Sequence, residues 1–89
     1  MKSIESLKKK LSSEGYKDVY VWEDTPNTNY DTHFHRTDTK IIILDGEMIL
    51  TLNGETKKLK VGDEVEIEKN EKHSAKIGKK RCKYLVGEK

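Results

Sequence analysis

Asn53-Gly54 stands between two short runs, Met48 to Leu52 and Lys57 to Lys60, and is the strongest hairpin signal in the chain. A two-residue turn of this kind needs positive φ at both positions, which Asn and Gly adopt most readily, so the flanking runs pair as antiparallel strands. Similar punctuation recurs on either side. Lys40 to Asp45 is an apolar strand closed by Gly46, and Val61-Gly62-Asp63 is a turn, after which Val65 and Ile67 alternate with Glu64, Glu66 and Glu68. Asn70-Glu71-Lys72 reads as a loop before His73, Ala75 and Ile77 resume the alternation, Gly78 turns the chain, and Cys82 to Val86 form a last strand. Near the start, Asp18 opens a run with Val19 and Val21 on one face and Tyr20 and Trp22 on the other, until Thr25-Pro26-Asn27 breaks it. Both faces of that run are apolar, so both are expected to be covered. Asn27-Thr28-Asn29 reads as a polar loop leading through Tyr30 to His33. Short strands divided by closely spaced turns predict an all-β antiparallel barrel or sandwich. One amphipathic helix precedes them, with Ser3 as N-cap, Ile4, Leu7 and Leu11 at helical spacing, and Gly15 as the stop.

A chain of 89 residues has room for one domain. At this size burial covers only about 60% of the unfolded surface, and with 38% charged residues against 33% apolar ones the core is thin, so packing against a second copy is expected to help. Eighteen basic residues face sixteen acidic ones, and the net charge of +2 is too small and too interspersed to argue for a nucleic-acid partner. The densest basic run, Lys79-Lys80-Arg81, lies beside a glycine and reads as a solvated turn. A lone cysteine, Cys82, excludes an internal disulfide and suits a reducing compartment. The first residues show neither a signal peptide nor a membrane span, so a cytoplasmic protein with no membrane partner is expected.

Two of the three histidines, His33 and His35, are one residue apart. Residues i and i+2 of a strand face the same side, so both can bind one ion while Phe34 points away. His73 follows a second glycine-led strand that can fold back beside them. Three neutral imidazoles would leave open positions on a divalent ion for water or substrate. Taken alone, a His-x-His pair reads more readily as two surface histidines.

These residues resemble the cupins, small antiparallel β-barrels of the jelly-roll, or double-stranded β-helix, type. The first cupin motif runs His-x-His, three or four residues, Glu, six residues, Gly; His33, His35 and Gly46 match, and Thr39 stands where the glutamate would be. The second runs Gly, five residues, Pro, one residue, Gly, two residues, His, three residues, Asn. Gly62 and His73 match, while Glu68, Asn70 and Ile77 replace the proline, inner glycine and asparagine. Asn70 is a mild replacement because Asn tolerates a positive φ. The resemblance covers about residues 20–86 as barrel, with the helix in 1–17, and implies a divalent metal ion, iron, manganese, nickel or zinc, on His33, His35 and His73. Threonine is a weak neutral ligand compared with a carboxylate, so a three-histidine site is implied. By resemblance, such sites occur in thiol dioxygenases and a diketone-cleaving cupin, where ferrous iron admits both substrate and oxygen. Asp38 is a poor substitute for the glutamate, since strand parity turns it to the other face.

The same parity, with Thr39 facing the interior, points Ile41 and Ile43 inward and Ile42 and Leu44 outward. Two outward aliphatics call for cover by the helix or by a second subunit, and cupins commonly dimerise through such strands, so a homodimer is expected. Thr39, Tyr30, Tyr84, Cys82 and Arg36 are candidates to face a substrate. Tyr84 and Cys82 share a strand face that either opens to the barrel mouth or fills the core, and Arg36 either clamps an anion or is a surface residue beside a turn. Trp22 is assigned to core or dimer interface. Three functions remain open: a metal-dependent enzyme acting on a small molecule, with dioxygenase-like chemistry favoured; a binding or sensing module for a small ligand; and a structural dimer with a vestigial site.

Overall fold

A computed structural model describes residues 3–89. Helix α1, Ile4–Ser13, begins where the Ser3 side chain accepts a hydrogen bond from the Ser6 N–H at 3.1 Å. It ends in a Schellman motif. Gly15 adopts φ +97°, its N–H donates to the Ser12 carbonyl, and the Tyr16 N–H reaches back to the Leu11 carbonyl. Of the 1–17 segment assigned to the helix, residues 1 and 2 lie outside the described residues, and within the rest the helix runs from Ile4 to Ser13, stopped at the glycine expected.

Eight strands follow: β1 Asp18–Asp24, β2 Asn29–His33, β3 Thr39–Asp45, β4 Glu47–Leu52, β5 Glu55–Lys60, β6 Glu64–Ile67, β7 His73–Ile77 and β8 Cys82–Glu88. They form two four-stranded antiparallel sheets, ordered β1-β8-β3-β6 and β2-β7-β4-β5. Pro26 breaks the chain after β1 and the next strand begins in the other sheet, an alternation that persists except at the β4–β5 hairpin. The expected all-β architecture is therefore present, but as two facing sheets; no ladder joins their edges, so they do not close into a continuous barrel.

Between the sheets lies the main core, built from Ile43, Met48, Leu50, Ile67, Ile77 and Val86 with their neighbours. On the outer face of the first sheet a second cluster joins Leu7, Leu11 and Tyr16 to Ile42 and Leu85. Ile41 packs inward with Ile43 and Leu44 outward with Ile42, as parity requires, and the cover for the outward pair comes from α1. The helix sits close. A Cβ added at Gly87 on β8 would lie 3.1 Å from Leu11 Cδ1 and from the Tyr16 ring. Lys40, buried on this same outer face, secures the join by reaching Glu14 beyond the helix at 2.8 Å and Glu64 on β6 at 3.2 Å, while Lys10 of the helix meets Glu64 at 2.7 Å.

Three expectations are corrected. The strand that carries His33 begins at Asn29, inside the expected polar loop Asn27-Thr28-Asn29, and ends at His33 before His35; it is an edge strand, which exposes its polar side chains and so hides its limits. Strand β8 runs past Val86 to Glu88. On β1, Val19 and Val21 pack under the helix, but Tyr20 and Trp22 are 39% and 50% exposed. That strand is also an edge, so its inner face opens onto a pocket instead of meeting the opposite sheet.

Candidate metal centre

His33 closes β2 and His73 opens β7, and the two are direct partners across that ladder with ring centroids 4.3 Å apart. His35 lies just beyond the end of β2, so the regular-strand argument that paired it with His33 does not extend to it. A different contact places it. Asn70 adopts φ +66° and its backbone N–H donates to the His35 carbonyl at 2.7 Å. The asparagine at the motif's glycine position thus takes the left-handed conformation it was expected to tolerate, and in doing so holds the backbone that carries the second imidazole. One ring nitrogen from each histidine falls within 4.8 Å of the others.

Backbone carbonyls orient two of these rings. His33 Nδ1 lies 2.7 Å from the Asp31 oxygen and His73 Nδ1 lies 3.0 Å from the Glu71 oxygen. A carbonyl only accepts, so Nδ1 carries the proton in the neutral ring and Nε2 keeps a free lone pair, the arrangement that metal-binding histidines use. Glu71 is itself held, because its carboxylate accepts from the Glu68 N–H at 3.2 Å and from the Asn53 side chain. Burial holds the pKa of His35 and His73 below the ordinary 6.5, with the neighbouring imidazoles adding to it. Neutral rings in this geometry suit a borderline divalent ion and leave positions on it free.

The histidines line a pocket of about 420 Å³ that opens between the sheets. Its inner wall is apolar, with Ile41, Met48, Leu50 and Val86, and its other side carries Tyr20, Trp22 and Tyr30. Behind the aromatics sits a polar anchor that the sequence did not signal. Asp24, 6% exposed, accepts from Tyr30 Oη at 2.6 Å and Trp22 Nε1 at 2.9 Å on one oxygen and from Tyr84 Oη at 2.7 Å on the other. Burial first, and then the Asp24 hydrogen bond, pushes both phenols above their ordinary pKa, so they stay protonated and serve as donors.

The other candidates separate cleanly. Tyr30, Tyr84 and Thr39 face the pocket. Cys82 does not: it is fully buried in the core, and burial together with nearby carboxylates pushes its thiol up to about 11. Arg36 is exposed and outside the pocket, because the chain has left the strand by that point. Trp22, assigned to core or interface, forms part of the rim. Asp38 turns away, as parity required, and accepts from the Lys69 N–H at 2.9 Å. The Thr39 hydroxyl bonds the Thr37 carbonyl at 3.4 Å. Glu88, unsuspected because β8 was expected to end earlier, lines the pocket directly opposite Thr39.

The profile of the cupin domain family matches residues 20–87. The chain belongs to the cupin family. Solved structures agree at the level of the fold. The DMSP lyase DddQ from Ruegeria pomeroyi superposes with a TM-score of 0.73 at 24% identity, over 80% of this chain and 36% of that one. A cupin protein from Bacteroides fragilis gives 0.66 at 22%, over 79% and 62%. A cupin superfamily protein from Desulfitobacterium hafniense gives 0.68 at 19%, over 82% and 78%. This cupin spans between about a third and two thirds of the length of the first such structures. No curated protein matches it by sequence. Among its described residues no helix is long and apolar enough to cross a membrane.

Proposed function

We propose that this cupin holds a divalent metal ion on His33, His35 and His73 and uses it to bind a small molecule in the adjoining pocket and act on it. The observation that carries the reading is the convergence of three imidazoles at a pocket, two of them with Nδ1 already donating to backbone. The ion would supply Lewis acidity, or a site for oxygen if it is iron. The protein's own contribution is an apolar wall that excludes water and an aromatic side stiffened through Asp24. The substrate class that fits is a compact molecule with a metal-seeking head, such as a thiolate or a dicarbonyl, and an apolar body. Dioxygenase-like turnover on ferrous iron is the enzymatic form of this reading.

Purification under anaerobic conditions, elemental analysis, and oxygen-uptake assays of the iron-loaded protein against small thiols and dicarbonyls test it. About one ion per chain with substrate-dependent oxygen uptake is the expected result. One ion per chain with tight ligand binding and no turnover would make the protein a binding module, and no bound metal under any loading condition would overturn the proposal. A homodimer and a cytoplasmic location belong to the same reading. The dimer draws support from Trp22 and Phe34, each about half exposed, and a monomer by light scattering at micromolar concentration would contradict it.

A further inference from the structure

Thr39 leaves the three histidines without the acidic ligand of the cupin motif, yet the pocket does contain a carboxylate. Thr39 on β3 and Glu88 on β8 are direct partners in the antiparallel ladder, and their side chains share the inner face. Such partners have Cβ atoms about 5 Å apart, and a glutamate reaches further from its strand than a threonine. The end of β8 is pinned on both sides. The Lys17 N–H donates to the Glu88 carbonyl at 2.9 Å, and the Lys89 N–H donates to the Asp38 carbonyl at 3.0 Å. Glu88 therefore enters the pocket from a fixed base. Its carboxylate accepts from Tyr20 Oη at 3.1 Å and stands outside the trio of imidazole nitrogens.

We propose that Glu88 supplies from the neighbouring strand the acidic ligand that Thr39 cannot, so that the ion is held by three histidines and a carboxylate. The proposal rests on the three-histidine reading above and adds one ligand to it. The charge balance favours it: three neutral imidazoles leave the full double charge of the ion uncompensated in an apolar pocket, and one carboxylate halves it. Tyr20 holds the carboxylate through its hydroxyl. Because carboxylate oxygen is hard, the added ligand matters most for manganese or ferrous iron and least for zinc.

The test uses the full chain stripped of metal, titrated with Mn(II) by electron paramagnetic resonance and with Co(II) by visible absorption. Glu88→Gln should keep one ion per chain, weaken Mn(II) binding at least tenfold, and alter the Co(II) bands. The double variant Thr39→Glu with Glu88→Gln, which returns the carboxylate to the motif position, should recover most of the affinity. His73→Ala in parallel should lose binding altogether. If Glu88→Gln matches the wild type in Mn(II) affinity and Co(II) spectrum while His73→Ala fails to bind, the role of Glu88 is overturned and the three-histidine site stands. If His73→Ala binds like the wild type, the site itself is misassigned and both readings fall. Circular dichroism of each metal-free variant separates loss of ligand from loss of fold, and a double variant that folds but recovers nothing also counts against the proposal.

Discussion

His33 and His73 face each other across the β2–β7 ladder, one ending its strand and the other beginning its own, with ring centroids 4.3 Å apart. Two imidazoles in direct register need only a third group to make a site, and the Asn70 contact to the His35 backbone delivers it. Replacing any one of the three by alanine should therefore remove most of the bound metal. Equimolar metal retained after desalting in all three single variants would contradict the assignment.

Proton competition gives a second test. Metal binding requires neutral rings, and burial lowers the pKa of His35 and His73 from 6.5. Acid should weaken metal binding, with the fall beginning below the pH at which free imidazole would protonate. In the metal-free protein the same depressed values mean that the unfolded chain takes up these protons first, so stability declines as pH drops from about 6.5 through the folded values. Denaturant midpoints measured between pH 8 and 5, with and without metal, check both effects. A flat profile for the metal-free protein would contradict the second.

Asp24 accepts three hydrogen bonds from a nearly buried position. Asp24→Ala strands the Tyr84 hydroxyl inside the protein and should cost about 1–3 kcal/mol. Urea unfolding reads this directly, and a cost under about 0.5 kcal/mol would mean that the network contributes little. Ligand affinity should fall as well, since the aromatic side of the pocket loses its fixed position.

Lys40 joins the helix region to the sheet through Glu14 and Glu64, with its own side chain only 10% exposed. Lys40→Met should destabilise by about 2 kcal/mol at neutral pH. Glu64 is held below the ordinary 4.5, first by Lys10 and then by Lys40. Its contribution is complete above about pH 4.5 and lost as pH falls through the lowered value, so the gap between wild type and variant should narrow in acid. Thermal melts at pH 7 and pH 3.5 would show this, and an equal gap at both would refute it.

What was readable in the sequence was whatever obeys a local period. The parity of β3 set Ile41 and Ile43 against Ile42 and Leu44 without knowledge of any partner, and it also turned Asp38 away from the site. The glycine and asparagine turns marked where most strands end, and the spacing of His33, His35 and His73 in the two motifs pointed to the cluster. Features that depend on pairing between distant parts of the chain were not readable. Asp24 finds Tyr84 across 60 positions, and nothing next to Asp24 announces that partner. Glu88 matters only because β8 runs to its end beside Thr39, a register set by the sheet and not by the alternation of either strand. The limits of the edge strand β2, from Asn29 to His33, escaped notice because its side chains answer largely to solvent.

At Gly87 the side-chain-free face of β8 receives Leu11 and Tyr16, and the next residue turns its carboxylate into the pocket. The ribbon is one residue thick at that point. Whatever lifts the helix from the outside, whether heat, loss of the Lys40 contacts or a partner that prefers the apolar stripe of α1, also slackens the strand end on which the inner carboxylate is mounted. On the proposed reading, a helix that never touches the ion would thereby influence how firmly the ion is held.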